Sequence, residues 1–317
     1  MELIRGLHNL RDRHRGCVLT IGNFDGVHLG HQSVLGRLAE KAAELDLPAV
    51  VMIFEPQPQE FFAPSDAPAR LNRLREKLMS FTRFAVDRVV CIHFDQRFSE
   101  MTAEQFIDLL VHKLGVRYLV VGDDFRFGHQ RRGDFSMLQS AGRDHGFDVV
   151  NMHTCNIDQS RISSTRLRDS LQQGDLQKAK KLLGRPYRIC GRIAHGDKRG
   201  RQLGFPTANV HLHRISVPLQ GVFAVEVFGL EGEPLAGVAN IGTRPTVGGG
   251  CQPILEIHLL DFSREIYGRY VQVDILCKIR QEQRFESLDA LKAQIDCDVT
   301  TAKTFFSNHH QPVELGA

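Results

Sequence analysis

The chain has 317 residues, a formal net charge of +3, 42% hydrophobic and 24% charged residues. This balance is ordinary for a globular protein, and the small charge argues against a nucleic-acid coat or a membrane-surface protein while leaving room for a local phosphate pocket. At about one domain per 150 residues, the length predicts two domains, each able to bury its own core. No apolar run is long enough to span a bilayer, and MELIRGLHNLRDRHRG is charged from its start, unlike a signal peptide. Seven scattered cysteines (Cys17, Cys91, Cys155, Cys190, Cys251, Cys277 and Cys297) include no CxxC pair. They predict reduced thiols in a cytoplasmic protein rather than a disulfide framework or zinc site.

In chain order, CVLTI (17–21) reads as a strand, and HQSVLGRLAEKAAEL follows with helical spacing through Val34, Leu35, Leu38, Ala42 and Leu45. PAVVMIF (48–54) is apolar without alternation, as in a strand buried on both faces of a parallel sheet. VDRVVCIHF (86–94) is another strand, and Thr102 with Gln105 forms a capping-box pattern before FIDLLVHKLG. VRYLVVG (116–122) and FDVVNMH (147–153) complete an alternation that predicts an open parallel α/β sheet. Short helices near 164–172 and 175–183 precede Gly184-Arg185-Pro186. Beyond it the chain is strand-rich with Gly and Pro turns, which predicts a small barrel. In YVQVDILCKI, Val271, Val273, Ile275, Cys277 and Ile279 are expected on one face. A closing helix at 287–306 is expected to face the core through Leu288, Leu291, Ile295, Val299, Ala302 and Phe305. The predicted domains are 1–184 and 185–312.

Two constellations carry chemistry. The first begins with GNFDGVHLGH (22–31), between a strand and a helix. Gly22 and Gly30 allow close backbone approach to a phosphate at a helix N-terminus, and Asn23, Phe24 and Asp25 are ATP-binding candidates in the same turn. His28 and His31, three apart, are expected on one face of the first helical turn, as donors to a phosphorus centre gaining charge. Downstream, RISSTRLRDSL (161–171) supplies Ser163, Ser164 and Thr165 as caps and phosphate contacts, with Arg168 one turn in to meet a leaving pyrophosphate. Taken alone, that segment reads better as an ordinary capped helix with a surface arginine. Between them, Asp124, Phe125, Arg126 and Phe127 follow a strand end, where aromatics can stack on a planar ring.

The second constellation lies in HGDKRGRQLGFPTANV (195–210). No GxxxxGK[ST] loop is present, so Gly196, Gly200 and Gly204 are the candidates for wrapping ATP phosphates. Thr207 and Asn209 offer hard oxygen ligands for Mg²⁺. Glu256, inside the apolar ILEIHL, is a candidate base for a substrate hydroxyl. By spacing alone an outward-facing glutamate on a half-exposed strand explains it equally well.

Together these motifs resemble the prokaryotic bifunctional riboflavin kinase/FMN adenylyltransferase family, also called FAD synthetase. GNFDGVHLGH, VVGDDFRFG and ISSTRLR match its adenylyltransferase module. GRIAHGDKRGRQLGFPTANV, GVFAV, GVANIGTRPTV and LEIHLLDF match its kinase module, in the same order. The resemblance implies a Rossmann-like α/β domain followed by a six-stranded Greek-key barrel, with ATP, riboflavin, FMN and FAD as substrates and products, Mg²⁺ as cofactor, and no nucleic-acid or membrane partner. It implies ATP-handling roles for His28, His31, Ser164, Thr165 and Arg168, a flavin-side role for Asp124, a Mg²⁺-ATP pair in Thr207 and Asn209, and a general base in Glu256. Arg284 and Phe285 are implied as part of a flap over the flavin. Gln57 departs from the histidine that many members carry. The alternatives are another HxGH-type nucleotidyltransferase, which leaves the barrel and its PTAN segment unexplained, or a non-catalytic flavin-binding protein, which has no need of the two sets of reactive residues. The oligomeric state is not legible in the sequence.

Overall fold

The structure is a computed structural model that describes residues 1–122, 124–152, 156–157, 160–195, 204–245 and 251–309. By contact the chain divides into two compact units: Met1–Pro68 with Asn72–Ser164, and Ala69–Leu71 with Thr165–Ala317.

The strands of the first unit are β1 (Glu2–Arg5), β2 (Cys17–Ile21), β3 (Ala49–Glu55), β4 (Arg88–His93), β5 (Val116–Gly122) and β6 (Asp148–Met152). They form a wholly parallel sheet in the order β1-β4-β3-β2-β5-β6, with a small ribbon of β7 (Asn156–Ile157) and β8 (Ser160–Arg161) beside it. Around it run α1 (Leu29–Leu45), α2 (Pro58–Phe62), α3 (Leu74–Phe81), α4 (Gln96–Ser99), α5 (Ala103–Asp108) and α6 (Phe135–His145). Because side chains alternate along a strand, each strand feeds two cores. Leu19, Met52, Val90 and Leu119 pack with Phe106, Leu110 and Leu138 on one face. Val18, Val51, Val89 and Val120 pack with Leu35, Leu38 and Phe81 on the other. This double burial is why β2 and β3 read as apolar runs without alternation. Thr102 and Gln105 close their capping box, with Gln105 N–H to Thr102 Oγ1 at 3.2 Å and Thr102 N–H to Gln105 Oε1 at 2.9 Å. The sequence reading misses β1, a four-residue edge strand in which Ile4 alone is fully buried.

The second unit carries α7 (Ser164–Gln173), α8 (Leu176–Leu183) and a closed antiparallel barrel. Its strands are β9 (Tyr187–Ala194), β10 (Ala208–His211), β11 (Gly221–Phe228), β12 (Leu235–Pro245), β13 (Cys251–Leu259) and β14 (Tyr270–Arg280), ordered β10-β13-β12-β11-β14-β9. Ile193, Val210, Phe223, Ala239, Leu255, Ile257 and Val273 are buried and alternate with outward residues along every strand. α9 (Leu288–His309) covers part of the outside, where Val222, Ala224 and Val238 pack on Ala302 and Phe306.

Two expectations fail here. Val271, Val273 and Ile275 share the inner face, but the register of β14 against β11 shifts after Ile275. A bulge turns the strand, so Cys277 lies opposite Ala224, and both Cys277 and Ile279 join the outer cluster under α9. In α9, Leu288 is 69% exposed at the helix start, while Asp298 is only 2% exposed. Asp298 takes a two-pronged contact from Arg280, Nε to Oδ1 and Nη2 to Oδ2, both at 2.8 Å.

A buried carboxylate whose partner is fixed in this way loses heavily when either member is removed. Asp298→Ala is expected to destabilise the second unit by about 3 kcal/mol, read as a lower urea midpoint. A loss under about 0.5 kcal/mol would mean that water solvates Arg280 in place of the carboxylate.

Candidate active sites

After β2 the chain runs outward to β3 and β4, then returns to β5 on the other side of β2. A crevice of about 590 Å³ opens at this switch point. It is lined by Gly22 from the end of β2, Gly122 from the end of β5, and by His28, His31, Ser163 and Ser164. The turn into α1 is tightly held. Phe24 (φ 48°) and Val27 (φ 44°) adopt left-handed backbone, which is uncommon for bulky and β-branched residues. The Asn72 N–H donates to Asp25 Oδ1 at 2.9 Å, and Ser164 Oγ donates to the Asp25 carbonyl at 2.8 Å.

His28 is the N-cap of α1 rather than a residue of its first turn. Its Nδ1 accepts from the His31 backbone N–H at 3.3 Å, which assigns the ring proton to Nε2. The two rings stack at 3.7 Å with 14° between planes. A Cβ on Gly30 would press on the His28 ring at 3.2 Å, so glycine there leaves room for the stack. Burial, aided by the His28 ring and the Lys77 ammonium, holds His31 well below the usual imidazole range. It is therefore neutral at pH 7.

Beside this crevice lies an apolar cavity of about 600 Å³ walled by Phe54, Phe62, Phe94, Phe98, Phe106 and Phe125. The cavity and the crevice share Phe54, Pro58, Gln59, Phe125, Arg126 and Arg131 as common walls. Phe125 and Phe127 stack at 5.8 Å, and Phe127 is buried against Phe106. The hairpin bearing them is pinned because Gly128 (φ +73°) sits where a Cβ would meet the Ala103 backbone at 2.6 Å. Asp124 pairs with Arg161 at 3.1 Å near the mouth, and Arg126 with Asp134 at 3.8 Å.

In the second unit, Asn209 lies directly opposite Glu256 across β10 and β13. Their neighbours Ala208, Val210, Leu255 and Ile257 point inward, so both polar residues stand on the outer face. Thr207 lies two residues before Asn209, just ahead of β10. His258 Nδ1 meets the Pro206 carbonyl at 3.0 Å and fixes the Pro-Thr-Ala-Asn segment to β13. A cavity of about 500 Å³ adjoins Thr207, with the His195 and Tyr267 rings stacked at 4.0 Å in its wall. The loop before α9 reaches this same face. A Cβ on Gly242 would collide with the Glu282 carboxylate, and Arg280 lies 5.6 Å from the Phe285 ring. Arg284 is exposed on that loop.

The structure thus gathers Gly22, Asn23, Phe24, Asp25, His28, Gly30, His31, Ser163, Ser164, Asp124, Phe125 and Arg126 around one crevice. Thr165 and Arg168 belong to the second unit, where Arg168 Nε donates to the Ala69 carbonyl at 2.7 Å. Gly204 is exposed with φ +90°, whereas Gly196 and Gly200 lie outside the described residues. FEPQP (54–58), expected from the sequence as a strand-end loop lining this crevice, brings Phe54 and Pro58 to it, whereas sequence reasoning missed Phe62, Phe94, Phe98 and Phe106. Phe94 follows the carboxyl end of β4, so the strand-end rule marks it. It also missed the fully buried Lys77 and the His195–Tyr267 stack.

A family model described as FAD synthetase matches residues 10–166, and one described as riboflavin kinase matches 183–306. The bifunctional riboflavin kinase/FMN adenylyltransferase of Escherichia coli strain K12 is 56% identical over 308 residues, 96% of this chain and 98% of that one. The protein of the same name from Haemophilus influenzae is 53% identical over 309 residues, 97% of this chain and 100% of its own. Among solved structures, a Streptococcus pneumoniae chain named as a macrolide-efflux protein is 29% identical with a TM-score of 0.79, covering 96% of this chain and 99% of that one. No helix among the described residues here is long and apolar enough to cross a membrane. With both family models matched in order and relatives aligned over nearly the whole chain, the chain belongs to the bifunctional riboflavin kinase/FMN adenylyltransferase family.

Proposed function

We propose that the crevice at the end of β2 carries adenylyl transfer and the outer face of β10 and β13 carries phosphoryl transfer, with the functional boundary between residues 184 and 185 and the second domain running to 312. The chain is an enzyme that phosphorylates riboflavin to FMN and adenylylates FMN to FAD, with ATP as co-substrate. The observation that carries the assignment of the first site is the shared wall: a phenylalanine cavity shaped for a flat ring adjoins a phosphate crevice lined by two imidazoles.

In the first reaction, an FMN phosphate oxygen attacks the α-phosphorus of ATP and pyrophosphate leaves. His28 Nε2–H and the neutral His31 donate to the phosphate as charge builds, and Ser163 and Ser164 add contacts at the start of α7. The aromatic walls hold the flavin ring, so its phosphate meets ATP at Phe125 and Arg126. Thr165 and Arg168 are assigned to ATP and its leaving pyrophosphate through their place in the ISSTRLR motif. In the second reaction, Glu256 takes the proton from the terminal hydroxyl of riboflavin, and that oxygen attacks the γ-phosphorus while ADP leaves. The stacked His195 and Tyr267 rings suit an adenine. Thr207 and Asn209 supply two neutral, hard oxygens, and this donor set fits Mg²⁺, which keeps waters and phosphate oxygens as its other ligands. Mg²⁺ bound there would offset the negative charge of the ATP phosphates. The free cysteines among the described residues fit a reducing cytoplasm, where ATP is made.

Incubating the protein with riboflavin, ATP and Mg²⁺ should yield FMN and then FAD. In His28→Ala and His31→Ala, FAD formation should fall on the order of 10²–10³-fold while FMN formation persists. Near-normal FAD synthesis by the double variant would refute the donor role. Glu256→Gln should slow riboflavin phosphorylation by roughly 10²–10⁴-fold and still convert supplied FMN to FAD. Unchanged kinase activity would make Glu256 a surface residue.

The depressed basicity of His31 also sets a pH dependence. Below about pH 6.5, the unperturbed imidazole value, the unfolded chain binds a proton that the native chain refuses. Unfolding free energy therefore falls as pH drops through that range. His31→Gln should flatten this slope between pH 7 and 5 in denaturant titrations, and parallel slopes would show that the His31 ring is solvated.

A further inference from the structure

Asn240 is a polar residue on the barrel's outer face that neither reaction uses. On β12 it lies directly opposite Glu256, as Asn209 does from the other side, so Asn209, Glu256 and Asn240 form one row across β10, β13 and β12. Side chains paired in this way stand about 4.5–5.5 Å apart at Cβ. The other neighbours of Asn240 enclose it. Val222, opposite it on β11, and Val238, two residues back, are buried in the cluster under α9. Gly242, two residues on, is covered by the Glu282 carboxylate. The open side therefore faces Glu256. Within this enclosure the Asn240 Oδ1 has no access to water and no hydrogen-bond partner among the described residues. A buried carboxamide oxygen is costly without a donor, and a native structure keeps such a group where a ligand completes it.

We propose that Asn240 is a substrate-binding residue of the kinase site that reads the hydroxylated side chain of riboflavin. Its Oδ1 accepts a hydrogen bond from a secondary hydroxyl while Glu256 takes the proton of the terminal one. The chemistry of the two neighbours differs as this requires. The carboxylate is a base, and the amide can only bind. The substrate is a polyol chain whose hydroxyls lie in sequence, so adjacent groups in the row meet different hydroxyls of that chain. A site built to hydrogen-bond a hydroxyl rejects an analogue lacking it, because its own buried acceptor is then left unpaired. Asn240 thus contributes to selection of riboflavin over flavins with plain alkyl chains. This inference rests on the placement of the kinase site at Glu256.

The test compares riboflavin with 10-(5-hydroxypentyl)flavin, which keeps the terminal hydroxyl and lacks the secondary ones. The full-length protein and Asn240→Ala are assayed for kcat/KM on both, and for Kd on both by flavin fluorescence, so that binding is read even where turnover is slow. Asn240→Ala should weaken riboflavin about tenfold, the worth of one neutral hydrogen bond with its desolvation, and leave the hydroxypentyl compound unchanged. Equal losses on both compounds, or no loss on either, overturn the proposal. An unchanged urea midpoint for the second unit reports that the barrel of the variant is folded. Asn240→Leu, which keeps the shape, takes the same measurements if the alanine chain does not fold. Failure of the site itself reads differently: Glu256→Gln would then retain full kinase activity, whatever Asn240→Ala does.

Discussion

A β-strand has two faces, and what each must cover decides where chemistry can stand. In the first unit both faces of β2, β3 and β5 are buried under helices, so no functional side chain can project from the middle of a strand. Reactive groups are confined to the carboxyl ends, and the reversal of strand order at β2 opens the space for them. In the barrel the inner face is filled by Phe223, Ile241, Leu255 and Ile257, so polar groups can project only outward. Asn209 and Glu256 therefore sit mid-strand, a position the first unit cannot offer. One packing rule produces two unlike sites.

The strand-end site demands a strained turn. Phe24 and Val27 hold left-handed backbone between β2 and α1, and residues in such conformations cost free energy unless their surroundings fix them. The surroundings do so here. Phe24 packs edge-on against Phe81, the Asp25 side chain and carbonyl each take a hydrogen bond, and His28 caps the helix through its own ring. The same contacts set the stacked imidazoles, so the groups that stabilise the turn also fix the two rings.

The parallel sheet was legible because β2 and β3 are continuous apolar runs, and the barrel because its strands alternate between turn residues. Where reading by period failed, a local event had broken the period. The bulge after Ile275 adds a residue that no alternation rule can foresee, and it carries Cys277 and Ile279 to the other face. β1 is short and flanked by charges, so its one buried residue gave no pattern. In α9 a stripe of apolar residues concealed Asp298, whose burial depends on Arg280, eighteen positions away and on another element. Of the candidate sites, the glycine-rich turn was legible because its glycines and histidines sit between strand and helix. The phenylalanine cavity was not. Phe54, Phe94, Phe98 and Phe106 come from separate segments and converge only when the strands are ordered.

The two candidate sites offer a phosphate different groups, and their surroundings account for the difference. A helix N-terminus in a crevice presents N–H groups, and neutral imidazoles extend that set without adding a formal charge. Burial keeps His31 neutral, and the nearby Lys77 ammonium disfavours a second cation there. At the start of β10 no helix begins among the described residues, and the strand ladder pairs β10 with β9 and β13. Thr207 and Asn209 bring neutral side-chain oxygens of the kind that suits a hard cation. The two candidate sites thus differ at the backbone: α1 presents free N–H groups at its start, while those of β10 lie in the strand ladder.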